Sequence, residues 1–123
     1  MTWYPLDEEP DKPGPKLRPC LIFRVAEPVP GCYLVEASYG TSQVKTRRSW
    51  EFLLGPRDGY VFRMSGLSYA TKFDVKDLEV LWYNDLWFGK APETPRIGTI
   101  CVAGVPHSSI ADRFKEAKRA AGR

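Results

Sequence analysis

The segment PCLIFRVAEPVPGCYLVEASYG, residues 19–40, leaves little choice of local structure. Its first part is a continuous apolar run with β-branched and aromatic character. Its last part opens and closes on glycine and mixes Cys32, Leu34 and Ala37 with Tyr33, Val35 and Glu36. The Pro28 to Gly31 stretch between them is turn chemistry, because proline withholds a backbone donor and glycine tolerates chain reversal. Two strands folded back as an antiparallel hairpin follow from that pattern.

The remaining chain continues in short, punctuated pieces. SWEFLLG is a strand closed by the Gly55-Pro56-Arg57-Asp58-Gly59 turn, and YVFRMSGL is read as a helical turn ending at Gly66, with a strand as the alternative. TKFDVKDLEVLWY alternates as two short strand pieces around Lys76-Asp77, and GTICVAGVP reads as a last apolar strand. In HSSIADRFKEAKRAAGR, Ser109 and Asp112 make a capping-box-like start, while Ile110, Phe114, Ala117 and Ala121 recur on one helical face. The expected fold is therefore mainly β (α+β), a small antiparallel barrel or half-barrel with a C-terminal α-helix. Residues 1–15 form an acidic, proline-rich leader, and residues 16–123 one domain with its helix at about 109–121.

A length of 123 residues suits one core rather than two, and 43% hydrophobic with 13% aromatic residues excludes a disordered chain. No apolar run approaches the roughly 20 residues a spanning helix needs, and the N-terminus lacks the apolar core of a secretory signal. A cytoplasmic protein without membrane association is expected. Cys20, Cys32 and Cys101 are odd in number and widely spaced, so reduced thiols are expected rather than a disulfide framework. The single His107 has no second ligand at metal spacing, which argues against zinc. No metal and no cofactor is expected.

The net charge is only +3, but it alternates along the chain. Residues 1–15 hold one base and four acids, residues 16–72 nine bases and four acids, residues 73–95 two bases and five acids, and residues 96–123 six bases and two acids. The basic second block contains the stretch SYGTSQVKTRRSW, where Thr41, Ser42 and Gln43 precede Lys45, Arg47 and Arg48. Two readings stand: a turn with a solvated basic edge, or a phosphate-handling site. Arg18 at the head of the first strand, and Lys72 and Asp74 at the head of a later one, extend the second reading. Metal-free RNA cleavage needs a 2′-hydroxyl deprotonated and phosphorane charge met by fixed donors, and Arg, Thr, Lys and Asp supply those functions.

At these residues the sequence resembles the MazF/PemK family of toxin-type endoribonucleases. The elements PKLRPCLIF, YGTSQ, TKFD and SSIADRFKEAKRA follow the family's order over roughly residues 14–120. The resemblance implies an SH3-like barrel with a terminal helix, a homodimer, an RNA groove covered by an antitoxin protein, and cleavage of single-stranded RNA. It implies Arg18 as the phosphate-stabilising arginine, Thr41 as the hydroxyl at the scissile phosphate with Ser42 its neighbour, and Lys72 with Asp74 as a basic and acidic pair. Gln43 and the cations Lys16, Lys45, Arg47 and Arg48 would then hold the RNA. The sequence departs from the family pattern in its leader, where the first strand and its acid have no match. It also carries Leu17 before Arg18 and Val75 after Asp74. The competing expectation is a catalytically inactive SH3-like barrel that binds a protein or nucleic acid, with the LWYNDLWFG block supplying core and contact aromatics.

Overall fold

A computed structural model describes residues 2, 8–9, 11–14, 18–89, 101–102, 105–106 and 108–123, with 101–102 and 105–106 as backbone. Lys16 and His107 lie outside the described residues, as does most of the leader.

Strands β1 (Cys20–Val29) and β2 (Cys32–Thr41) form the expected hairpin, with Val29 opposite Cys32 across Pro30-Gly31. Gly31 turns the chain at φ 81°, where a side chain would be strained, and its N–H donates to Glu27 Oε1 at 3.0 Å. β3 (Glu51–Leu54) and β4 (Thr71–Trp82) complete an antiparallel sheet of order β1-β2-β4-β3 that curls into a half-barrel. Between β3 and β4 run a 3-10 turn (Pro56–Asp58) and helix α1 (Tyr60–Ser65), and Gly66 stops α1 in the left-handed conformation, as the sequence implies.

The sequence reading of two strand pieces at residues 71–83 becomes one strand with a corner in it. Two steps along β2, from Ser38 to Gly40, face five along β4, from Leu78 to Phe73. Asp74 makes the corner: its Oδ1 accepts the N–H groups of Lys76 (3.0 Å) and Asp77 (3.2 Å). Carbonyls released from the ladder there find other donors. Ser38 Oγ donates to Asp74 O at 2.7 Å, and the Arg123 guanidinium donates to Val75 O at 2.8 Å and Lys76 O at 3.2 Å.

Period-two alternation divides the sheet's faces. On one side Phe52, Leu54, Phe73 and Val75 pack against Val61 of α1 and against Ile110 and Ala117 of helix α2 (Ser108–Ala120). Phe114 meets Phe52 edge-on at 5.4 Å and Phe23 at 5.6 Å, so the helix face expected from Ile110, Phe114, Ala117 and Ala121 is the buried one. Each large side chain buried here contributes about 1.5–3 kcal/mol. Arg113 fastens α2 to the sheet edge by an ion pair with Asp58 and a 3.1 Å bond to Leu53 O. On the other face Val35 and Leu81, which are register partners, pack with Trp87 and Phe88. Thr2 is buried beside them; its hydroxyl donates to Trp87 O at 2.7 Å, and its backbone exchanges two 2.8 Å bonds with Arg18.

Two further expectations are corrected. The run GTICVAGVP is not one strand where it is described: β5 (Cys101–Val102) and β6 (Val105–Pro106) are antiparallel partners of each other and, among the described residues, pair with no other strand. Ser109 does not precede the helix either, since α2 already includes Ser108, whereas a capping residue must stand outside helical geometry. No helix among the described residues is long and apolar enough to cross a membrane.

Candidate functional site

Gly40 determines how the candidate residues come together. A Cβ there would lie 2.7 Å from Phe73 Cε1 and 2.9 Å from both Pro19 O and Thr71 Cγ2, so only glycine lets β2 run this close to its neighbours. Its N–H donates to Pro19 O at 2.8 Å, which extends the β1–β2 register (Cys20 opposite Tyr39) and sets Arg18 level with Thr41. On the far side Thr41 is the register partner of Lys72, and Lys72 that of Leu53. Arg18, two residues ahead of β1, therefore continues a row that runs through Thr41 of β2 and Lys72 of β4. Directly opposed residues share a face, and this is the face away from α2.

Each member is held by named contacts. The Arg18 backbone is fixed by Thr2, and its guanidinium lies 5.6 Å from the centre of the Tyr39 ring, a cation–π geometry. Thr41 Oγ1 accepts the Gln43 N–H at 3.2 Å, which shapes the turn and leaves the hydroxyl proton available for donation to an anion. Ser42, Gln43, Lys45, Arg47 and Arg48 are exposed on the loop that follows. Arg48 and Lys76 flank the Trp50 ring at 5.5 and 4.7 Å, which stiffens the loop's end.

Lys72 does not pair with Asp74. Its ammonium reaches Thr46 O at 2.6 Å and Glu51 Oε2 at 3.2 Å, with Oε1 at 3.4 Å, while the Asp74 carboxylate caps the β4 corner. Glu51 also accepts the Arg48 N–H at 2.7 Å through Oε1. Sequence reasoning passed over Glu51, which sits in SWEFLLG with only strand alternation to mark it; its partner is 21 residues away and becomes visible only once β3 and β4 are paired.

Glu51 also opens onto a cleft of about 280 Å³ at the sheet edge. Arg47, Arg48 and Ser49 form one wall, and Arg113, Glu116 and Ala117 of α2 the other. With its size near the lower end for ligand sites, the cleft has room for about one sugar or base. Among the described residues no group of three or more His, Cys, Asp or Glu side chains is arranged to hold a metal ion. Cations and a donor hydroxyl on one face suit the binding of an anionic group. The chain matches no protein-family model, no curated protein and no solved structure.

Proposed function

We propose that this chain is an endoribonuclease of the kind its MazF/PemK resemblance implies, cleaving single-stranded RNA without a metal ion. The reading rests on one observation: Arg18, Thr41 and Lys72, distant in sequence, occupy one row on one face of the sheet. A phosphate above that row meets the Arg18 guanidinium and the Thr41 hydroxyl, with the Lys72 ammonium, held by Thr46 O and Glu51, as a further positive charge beside them. As the ribose 2′-oxygen bonds to phosphorus, charge grows on the non-bridging oxygens, and donors already in place stabilise it without reorganisation. The bond to the 5′-oxygen then breaks, leaving a 2′,3′-cyclic phosphate and a 5′-hydroxyl. Ser42 and Gln43 border the phosphate, and Lys16, Lys45, Arg47 and Arg48 follow the RNA backbone. Asp74 holds the β4 corner that carries Lys72. The same reading includes closure of the half-barrel in SH3-like fashion, a homodimer, and an antitoxin protein laid over the basic loop.

Incubating the purified protein with a long unstructured RNA in EDTA, beside Arg18→Ala, tests the proposal. Discrete cuts with cyclic-phosphate ends, absent from the variant, are expected. Equal cleavage by Arg18→Ala overturns the arginine's role, and intact RNA after exposure to folded protein overturns the activity.

A second reading, a non-catalytic barrel that binds a partner, is favoured by the far end of β4. Val80, Trp82 and Leu86 are 61%, 43% and 59% exposed there, more apolar surface than a sheet end requires. Such a module binds RNA or protein without turnover, and its binding survives loss of Arg18, Thr41 and Lys72 together.

A further inference from the structure

We infer that Glu51 is the group that takes the 2′-hydroxyl proton, with the reacting ribose at the Lys72–Glu51 end of the row and the adjoining nucleotide in the cleft between the 47–51 segment and α2; this rests on the ribonuclease reading above. Two carboxylates stand near the Arg18–Thr41–Lys72 row, Asp74 and Glu51, and they are register partners on β4 and β3. They differ in surroundings. Asp74 gives one oxygen to two backbone N–H groups at the corner and does not line the cleft. Glu51 does line it, and touches Lys72 of the row as well. It is the described carboxylate common to the phosphate row and the cavity.

Its contacts leave it able to act. A carboxylate offers about four acceptor positions. Three are taken in Glu51: the Arg48 N–H and Lys72 at Oε1, and Lys72 at Oε2. These hold the carboxylate in one orientation and leave an acceptor position for a ribose hydroxyl. Arg47 and Arg48 on the same wall meet the phosphate of the neighbouring nucleotide, and exposed Ala120 of α2 borders the opposite side of the cleft. In the reaction the 2′-hydroxyl proton passes to Glu51 as the 2′-oxygen bonds to phosphorus. The bond from phosphorus to the 5′-oxygen breaks, and that oxygen takes a proton from water. The hydroxide so formed removes the proton from Glu51, so the carboxylate is restored and no further reagent is consumed.

Glu51→Gln tests this because the amide oxygen can still accept from the Arg48 N–H and from Lys72 but cannot take up a proton. Single-turnover cleavage of the mapped RNA, RNA affinity by fluorescence anisotropy, and thermal unfolding are measured on wild type, Glu51→Gln, Glu51→Ala and Arg18→Ala. The expected result for Glu51→Gln is a rate lowered by about 100- to 10,000-fold with affinity held and a melting temperature no lower than that of Glu51→Ala. Formate, a small carboxylate able to enter the space left in Glu51→Ala, should restore part of that variant's rate and none of the rate of Glu51→Gln. Should Glu51→Gln fold poorly, formate rescue of Glu51→Ala decides the matter, and its failure overturns the inference. Cleavage by Glu51→Gln within about threefold of wild type, with Arg18→Ala inactive, overturns the role of Glu51 and leaves the ribonuclease reading standing. Wild-type protein that binds RNA but never cuts it removes both.

Discussion

Lys72 Nζ and Glu51 Oε2 meet at 3.2 Å on the diagonal of the β3–β4 ladder, each side chain only 12% exposed. An ion pair this sheltered is sensitive to the loss of one partner, because the other charge stays desolvated without compensation. Glu51→Ala and Lys72→Ala should each lower stability by about 1–3 kcal/mol, and the double variant by about 1 kcal/mol or more below their sum. Urea unfolding of the four proteins measures this. Strict additivity would show that the pair is not coupled.

Gly40 should tolerate no side chain. Gly40→Ala places its methyl group within 3 Å of two side-chain carbons and a carbonyl oxygen, one of them the Phe73 ring carbon at 2.7 Å. A loss of about 1–3 kcal/mol is expected, with cleavage falling further than stability because Thr41 is displaced from the row. Gly31→Ala meets open space and is opposed only by its φ of 81°, so it should lose about 1–2 kcal/mol and keep its cleavage. Melting temperature and cleavage rate, read on both variants, separate the two effects.

Asp74 should act through geometry. Asp74→Asn keeps an oxygen for the Lys76 and Asp77 N–H groups and should retain both stability and cleavage. Asp74→Ala leaves the corner without its acceptor and should lose about 1–3 kcal/mol. An inactive but stable Asp74→Asn would instead make the carboxylate a chemical participant.

RNA affinity should fall steeply with salt. On single strands each cation engaged with a phosphate contributes about 0.7 to the slope of log K against log salt concentration. Neutralising Arg47, exposed on the loop, should flatten the slope by about that amount, whichever RNA is used. An unchanged slope would take Arg47 off the RNA path.

Cys20 and Cys32 should differ in reactivity and in their link to stability. Burial pushes the Cys20 thiol from 9.0 to about 11, while Cys32 is exposed at the hairpin turn. Iodoacetamide near pH 8 should therefore label Cys32 first, since the thiolate is the reactive form. Because the folded-state value lies above the unfolded one, the contribution of Cys20 to stability is fully present below pH 9.0. It is lost as pH rises toward about 11. Unfolding midpoints across that window, compared with Cys20→Ala, check the sign.

Local chemistry was legible where it acts locally. The Pro30-Gly31 reversal, the stop at Gly66 and the face of α2 carrying Ile110 and Ala117 depend on residues a few positions apart, and all stand where the sequence implies. The break near Lys76-Asp77 was legible as a break, but not as a corner within one strand. That required Ser38 and Arg123, from two other parts of the chain, to satisfy its carbonyls.

Of the candidate site, residue types and order were readable: an arginine before the first strand, hydroxyls at a turn, and cations after it. Which of them face one another was not. The pairing of Thr41 with Lys72 and of Lys72 with Glu51, and the approach of Arg113 to the edge of β3, link segments 20 to 60 residues apart through strand register and helix docking. Register is set by burial of alternate side chains across the whole sheet, a sum over many contacts that no short stretch contains. The sequence by itself determined the β1–β2 hairpin, the turns and the amphipathic helix. Only the tertiary structure decided that Lys72 would meet Glu51 rather than Asp74, because the corner at Asp74 uses that carboxylate to hold the backbone.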